Sequence, residues 1–233
     1  MSTYKELSQD VARESGTFTG VVPAAVTSQT GRLLKLVNWT ADAWVMIQNL
    51  HSAWRWMRQE FDLTKTITIS GTARYTPAAW SITDLAEWIN EDGLVTIYKS
   101  STGVSDEGEI NHISWADYRY LYGRGTQTNS RPIRWSVSPD DNEFCLGPKP
   151  DAVYVVNGEY RQTAQVLAAN DDTPNMPSRF HKMVTWRAVM LLGEHDEAAP
   201  DVLVLAERKY LAFLDALERD QLSPIEIGAE PLA

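Results

Sequence analysis

The sequence predicts an α+β protein, with a helical bundle formed by N- and C-terminal helices and an inserted antiparallel β domain. Two observations support this fold class. Near both ends of the chain, apolar residues recur at gaps of three, four and seven, which is the helical period. Between those ends, short segments rich in β-branched and aromatic residues are bounded by turn residues, which is typical of strands. The predicted parts are 1–62 and 162–221 for the bundle, 63–161 for the β domain and 222–233 for an extended tail.

The first helical part contains two predicted helices. A short helix spans 3–14, where Thr3 and Glu6 have the spacing of a capping box. A longer helix spans 30–59, because its apolar residues form one stripe at the helical period. A helix of that length would measure about 44 Å at 1.5 Å per residue. This exceeds the diameter of a small domain, so we expect part of it to pack outside its own core.

The β domain contains five predicted strands and two short predicted helices. The clearest strand is TKTITIS at 64–70, where threonine alternates with isoleucine. Proline, aspartate and asparagine at 139–142 separate two further strands and predict a hairpin. The strands are predicted at 64–70, 94–98, 133–138, 143–146 and 153–160, and the helices at 81–90 and 114–122.

The second helical part also contains two predicted helices. The first spans 178–192, with Ser178 as its N-cap and Gly193 as its C-terminal stop. The second spans 196–221. Prolines punctuate the remaining segment, SPIEIGAEPLA, which has too little apolar content to fold alone.

Composition excludes several function classes. The 233-residue chain has 21 basic and 31 acidic side chains, for a formal net charge of −10, and none of the large predicted parts is basic. A groove that binds nucleic-acid phosphates needs clustered lysine and arginine, so this charge pattern argues against one. The single Cys145 excludes an internal disulfide and a cysteine-based zinc site. No window approaches the ~18 apolar residues of a membrane span, so no membrane partner is expected.

Sequence signatures of common enzymes are missing from the chain. It contains no GxGxxG, GxxxxGK[ST], HExxH or GxSxG. His195 has acidic neighbours, but consecutive residues point in different directions, so we interpret this segment as a solvated turn. Cys145 has no neighbouring base and is expected to be a small buried side chain. We therefore expect no catalytic, cofactor-binding or metal-binding residue, and no enzyme.

One group of carboxylates leaves an alternative open. The candidates are Asp84, Glu87, Glu91 and Asp92, beside Trp80 and Trp88, and the first three are predicted to share one face of a helix. Paired carboxylates beside tryptophans can hydrolyse glycosides. Trp88 would lie on another face, which favours the wet side of an amphipathic helix. A carbohydrate-binding or hydrolytic tail component is therefore an alternative function.

The nine tryptophans are unusual for a chain of this length. Trp44 and Trp54 lie on the stripe of the long predicted helix and are expected in the core. The remaining seven exceed what one small core readily absorbs, and tryptophan is enriched at interfaces. This surplus predicts contacts with subunits or partners, or a ligand-stacking surface. The seven are Trp39, Trp56, Trp80, Trp88, Trp115, Trp135 and Trp186.

The chain resembles the head-to-tail adaptor, or connector, proteins of tailed bacteriophages. The resemblance depends on a colinear set of stretches and not on one chemical motif. At the two ends these are TYKELSQDVARESG, TGRLLKLVNWTADAWVMIQNLHSAWRWMRQEF, DDTPNMPSRFHKMVTWRAVMLLGEHDEAAP and LERDQLSP. In the β region the matching stretch is YRYLYGRGTQTNSRPIRWSVSPDDNEFCLGPKPDAVYVVNGEY.

This resemblance implies a non-enzymatic structural virion protein. Such adaptors form an oligomeric ring, here a dodecamer matching a twelvefold portal, that joins the portal to the tail and forms part of the DNA channel. The implied partners are further copies of the chain, the portal protein, and tail or nozzle proteins. Double-stranded DNA would pass through the lumen without specific binding. The implied location is the virion neck, after synthesis and virion assembly in the bacterial host cytoplasm.

Two segments are the candidate contact sites that the resemblance implies. The portal-binding tail is represented by Leu222, Pro224, Ile225 and Ile227. The ring-contact loop, 123–131, is represented by Arg124, Gln127, Asn129 and Arg131. A tail-completion or tube-closing protein lower in the same assembly is the remaining alternative.

Overall fold

The structure, a computed structural model, describes residues 1–16, 20–61, 68–69, 71–91, 93–195 and 199–222. The chain divides into two compact units. The helical unit contains Met1–Met57 and Ala164–Ala233, and the β unit contains Arg58–Thr163. Helices at both ends of the chain and strands between them confirm the α+β fold class.

The helical unit is built around one central helix. Its α-helices are α1 (Tyr4–Glu14), α2 (Gly31–Gln48), α4 (Lys182–Glu194) and α5 (Pro200–Gln221), and α3 (Trp115–Leu121) belongs to the β unit. Short 3-10 helices lie at Arg55–Met57 and Ser178–Phe180. Helix α4 packs against α1, α2 and α5, so it supplies the centre of this core.

Helix α1 begins with the predicted capping box. The Glu6 N–H donates to Thr3 Oγ1 at 3.3 Å, and the Thr3 N–H donates to Glu6 Oε2 at 2.9 Å. Two backbone donors that a helix start leaves unpaired are thereby satisfied. Tyr4, Leu7 and Val11 follow at spacings of three and four residues, and all three are buried. The predicted helix and its start are confirmed.

Helix α2 is shorter than predicted, because it ends at Gln48 and not at Gln59. The indole N–H of Trp54 donates to the Ile47 carbonyl at 3.2 Å, which satisfies an acceptor at the helix end. Trp54 itself is fully buried, and its ring stacks on Trp56 with centroids 4.5 Å apart. The chain turns so that Trp54 enters the core, and the apolar stripe therefore continues through residues that lie outside the α-helix. The expected 44 Å rod is wrong.

The first C-terminal helix begins later than predicted. Ser178 opens a 3-10 helix whose N-cap is Pro177, and α4 starts only after it. Helix α4 continues one residue past Gly193, the predicted stop. The predicted start of the last helix, 196, lies outside the described residues. Helix α5 has Pro200 at its beginning, where the missing N–H costs nothing and the fixed φ suits a helix.

The β unit contains two sheets that share one core. The strands are β1 (Arg58–Phe61), β2 (Thr68–Ile69), β3 (Arg74–Tyr75), β4 (Leu85–Trp88), β5 (Thr96–Lys99), β6 (Gly108–Glu109), β7 (Asn111–His112), β8 (Arg134–Val137), β9 (Phe144–Gly147) and β10 (Tyr154–Gln162). Strand β10 pairs antiparallel with β1, β2, β4 and β5, and β5 continues to β6. The second sheet has the order β3-β9-β8-β7, in which only the β7–β8 pair is parallel.

The predicted hairpin forms between β8 and β9. Asp141 and Asn142 both have a φ of 50° at its turn, a left-handed conformation that these two residue types tolerate. The predicted helix at 81–90 is wrong, because this segment contains strand β4. Trp88 lies opposite Tyr160 and Glu87 lies opposite Arg161 in the ladder with β10. A partner strand that is remote in sequence overrides the local helical spacing.

Most of the tryptophans fill cores, which corrects the expected surplus at interfaces. Seven of the nine are buried, and only Trp56 and Trp115 are partly exposed. In the β unit, the ring of Trp135 stacks on that of Phe144 with centroids 4.7 Å apart. The ring centroids of Trp80 and Trp88 are 5.5 Å apart. Each compact unit has its own core, so the chain has room for more tryptophan than a single core would hold.

Candidate interaction surfaces

The predicted contact loop, 123–131, connects α3 to the segment that leads into β8. Its start is tied to α3, because the Gly123 N–H donates to the Arg119 carbonyl at 3.1 Å. Its end is tied to the segment after β9, because the Ser130 N–H donates to the Lys149 carbonyl at 3.0 Å. Arg124, Gln127 and Asn129 are exposed between these two anchors. The loop therefore presents three of its four predicted contact residues to solvent.

Arg131 differs from the other three residues because it is part of the framework. Its Nη2 donates to the carbonyls of Ile97 at 3.0 Å and Asp106 at 2.7 Å. Its Nη1 lies 2.7 Å from Asp106 Oδ2, and the side chain is half-buried. The pKa of Asp106 is lowered, first by the hydrogen bond from the Lys99 N–H and then by Arg131. Arg131 therefore ties the loop to β5, and its side chain is less exposed than those of the other three residues.

The sequence around the loop is locally basic. This was not visible when charge was summed over each large predicted part of the chain. Residues 118–138 contain four arginines and no acidic residue. Arg119 and Arg124 are both exposed. Tyr120, on α3, is 71% exposed. A shorter charge window would have revealed this surface, which suits an acidic partner.

The predicted portal-binding tail lies almost wholly beyond the described residues. Pro224, Ile225 and Ile227 are outside them. Leu222 has an extended backbone, and its N–H still donates to the Glu218 carbonyl at 2.9 Å. Its half-buried side chain packs against the core of the helical unit. Leu222 therefore marks the point where the chain leaves α5.

An apolar groove lies on the helical unit beside α5. It has a volume of about 310 Å³ and is lined by Arg179, Phe180, Lys209, Ala212, Phe213 and Ala216. Its two alanines and two phenylalanines are the apolar part of the lining, here called the floor, and Arg179 and Lys209 are the cationic part, here called the rim. Lys209 Nζ lies 3.9 Å from the centroid of the Trp186 ring. Arg179 lies over the Phe180 ring and forms an ion pair with Asp220.

The carboxylates of the glycosidase alternative are occupied in holding strands together. Asp84 accepts hydrogen bonds from the Tyr160 hydroxyl, at 3.1 Å, and from Gln162. Glu91 Oε2 lies 3.2 Å from Arg58 Nη2 in an ion pair, and the fourth candidate, Asp92, lies outside the described residues. Trp88 is buried, and its indole N–H donates to a backbone carbonyl. This buried tryptophan cannot stack on a sugar ring.

The other residues considered for catalysis or metal binding, His195 and Cys145, also lack the features of a reactive site. The His195 ring stacks on Trp39 with centroids 5.3 Å apart, and its neighbours Asp196 and Glu197 lie outside the described residues. Within the part of the chain that the structure describes, no cluster of histidine, cysteine or carboxylate side chains could hold a metal ion. Burial raises the pKa of the Cys145 thiol to about 11, so its reactive thiolate form is rare at neutral pH.

Comparison with known proteins identifies the family of the chain that carries these surfaces. Helices of the described residues are too short or too polar to cross a bilayer. No curated protein matches the chain. The sequence model of the SU10 adaptor protein family, however, matches residues 2–227, which include the β unit, most of the helical unit, the contact loop and the groove. The chain therefore belongs to the SU10 adaptor protein family, and it is a structural protein of the phage head-to-tail adaptor class that the resemblance indicated.

Proposed function

We propose that this protein forms a ring at the neck of a tailed-phage virion, where it joins the portal to the tail and forms part of the DNA channel. The family match over residues 2–227 carries this proposal. The ring would contain twelve copies, to match a twelvefold portal. In such a ring each copy uses one surface to bind the next copy, and the rotation closes the circle.

The exposed side of α5 supports a role in contacts between copies. Val204 is 68% exposed and Leu211 is 52% exposed. They are seven positions apart, which is close to two helical turns, so they lie on the same side of the helix. Leu205 adds a third exposed apolar side chain. Burial against a neighbouring copy would remove this apolar area from water and stabilise the ring.

The contact loop supplies a second surface for the same purpose. Arg124, Gln127 and Asn129 offer hydrogen-bond donors and one full positive charge. The whole chain has a net charge of −10, so each neighbouring copy is acidic overall. Attraction between this basic loop and an acidic neighbour would orient the copies in the ring.

The C-terminal tail and the net charge support two further parts of the proposed function, which are portal binding and the passage of DNA. We propose that residues 222–233 are an extended portal-binding tail that begins at Leu222, with Pro224, Ile225 and Ile227 as its contacts. An acidic protein gains no counterion-release term from DNA, so DNA would slide through the lumen without specific binding. Tail or nozzle proteins would bind the opposite side of the ring.

Electron microscopy of the protein mixed with purified portals tests this proposal. The full chain should produce a ring on the portal. The double variant Val204→Asp/Leu211→Asp should reduce ring occupancy at least tenfold, because carboxylates would face an apolar surface. Val104→Asp is the matched control, since this valine is 58% exposed in the β unit and receives the same substitution. A chain that ends at Gln221 should bind the portal more weakly.

Three outcomes would contradict parts of the proposal. A chain that never joins the portal would exclude the adaptor ring. Incorporation into virions only below the neck would favour the tail-completion or tube-closing alternative. Unchanged attachment of the truncated chain would exclude residues 222–233 as the portal contact.

A further inference from the structure

The apolar groove beside α5 has no occupant among the described residues. Its floor contains Phe180 and Phe213, and Lys209 and Arg179 lie at its rim. No carboxylate of the described residues pairs with Lys209. An occupant that fits this groove has apolar side chains for the floor and negative charge for the rim.

We propose that residues 224–232 of the same chain occupy this groove, folding back along α5 in the isolated protein. The segment has the composition that the groove requires, because its sequence PIEIGAEPL combines aliphatic side chains with two glutamates. In an extended segment, Ile225 and Ile227 point to the same side and Glu226 to the other. The two isoleucines can therefore contact the floor while Glu226 stays at the wet rim.

The length of the segment also matches the position of the groove. At 1.5 Å per residue, Ala216 lies about 9 Å and Lys209 about 20 Å back along α5 from Leu222. An extended chain covers about 3.3 Å per residue, so the eleven residues after Leu222 span up to about 36 Å. This leaves residues to spare for a reversal at Ser223 and Pro224, a dipeptide that favours a turn.

Tethering makes the chain's own segment the favoured occupant. A short flexible connection gives an effective concentration of about a millimolar, far above the concentration of any free partner in dilute protein. Because this is the segment that we propose to bind the portal, the groove and the portal would compete for it. Only that competition rests on the proposed function, whereas the docking is a property of the isolated chain.

Disulfide trapping in the isolated full-length chain tests the docking. Ala216→Cys in the groove is combined with Ile227→Cys, and the control combines Asp215→Cys with Ile227→Cys. Asp215 is exposed at the same height of α5 but about 100° around the helix. Cys145 is fully buried in the β unit, so it does not compete for the new thiols. Docking predicts intrachain cross-linking about tenfold faster for the Ala216 pair, since a disulfide needs Cβ atoms about 4 Å apart.

A charge reversal provides the second measurement. Lys209→Glu should slow the Ala216–Ile227 cross-link several-fold, and Glu226→Lys/Glu230→Lys should restore it. Equal rates for the Ala216 and Asp215 pairs, cross-links only between chains, or a rate that Lys209→Glu leaves unchanged would each overturn the proposed docking. No portal is present, so these results are independent of the ring experiment.

Discussion

Helices α4 and α5 lie against each other but have opposite relations to solvent. Helix α4 has thirteen residues, of which eight are buried. Helix α5 has 22 residues, of which only four are buried. The central helix therefore holds the unit together, whereas the last helix leaves much of its surface free. Helix α5 therefore carries apolar side chains, such as Val204 and Leu211, that its own unit does not bury.

The largest effect expected from this comparison concerns stability. Leu192→Ala in α4 removes a fully buried side chain and should lower the free energy of unfolding by about 2–5 kcal/mol. Leu211→Ala in α5 makes the same chemical change at an exposed site and should change it by less than about 0.5 kcal/mol. Urea denaturation followed by circular dichroism measures both. Similar losses in the free energy of unfolding for the two variants would contradict the difference between α4 and α5.

A similar contrast, between a half-buried and an exposed position, applies to two arginines of the contact loop, Arg131 and Arg124. Arg131→Ala removes hydrogen bonds to two carbonyls and the ion pair with Asp106. We expect a loss of about 1 kcal/mol, since the guanidinium is partly exposed and water screens the pair. Arg124→Ala, at an exposed position, should be neutral for stability and should weaken assembly instead. Thermal denaturation of the purified variants checks the first expectation, and a stable Arg131→Ala protein would contradict the anchoring role.

The smallest expected effect is a dependence on pH at the start of α4. His181 is buried, its Nδ1 accepts from the Ser2 N–H at 3.1 Å, and its Nε2 donates to the Met176 carbonyl at 3.1 Å. Burial lowers the pKa of His181, and the nearby Met1 α-ammonium acts in the same direction. The unfolded chain therefore binds a proton at a higher pH than the folded chain does.

The sign of this effect follows from that lowered pKa. Stability should fall as the pH decreases through the ordinary histidine value of about 6.5 towards the lower folded value, and should then level off. His181→Gln should remove this part of the slope. Urea denaturation at a series of pH values between 7 and 5 measures it. Parallel curves for the two proteins would show that His181 does not titrate in this range.

Local signals in the sequence predicted the helix start at Thr3, the hairpin turn at Asp141–Asn142 and the general order of elements. These features depend on residues close in sequence, such as the reciprocal bonds of Thr3 with Glu6. The misassigned segments depend on distant partners. Segment 85–88 is a strand because β10 pairs with it. Helix α2 ends early because Trp54 turns into the core.

The candidate sites show the same division between local and distant information. The exposure of Arg124, Gln127 and Asn129 agrees with a contact loop between secondary-structure elements. Nothing local distinguishes Arg131, because its partners Ile97 and Asp106 lie more than twenty residues away. The groove was also not predictable, since it combines the 3-10 helix at Ser178–Phe180 with α5.

Sequence patterns alone were sufficient to predict the α+β class, the helix–strand–helix order and the resemblance to phage adaptors, because periodicity and colinear motifs are local properties. Only the packing of the folded chain shows which apolar residues are buried and which are exposed. It assigned seven tryptophans to two cores and left Val204 and Leu211 on the surface. Burial is a property of packed neighbours, so two tryptophans that are equivalent in a sequence can differ completely in their role.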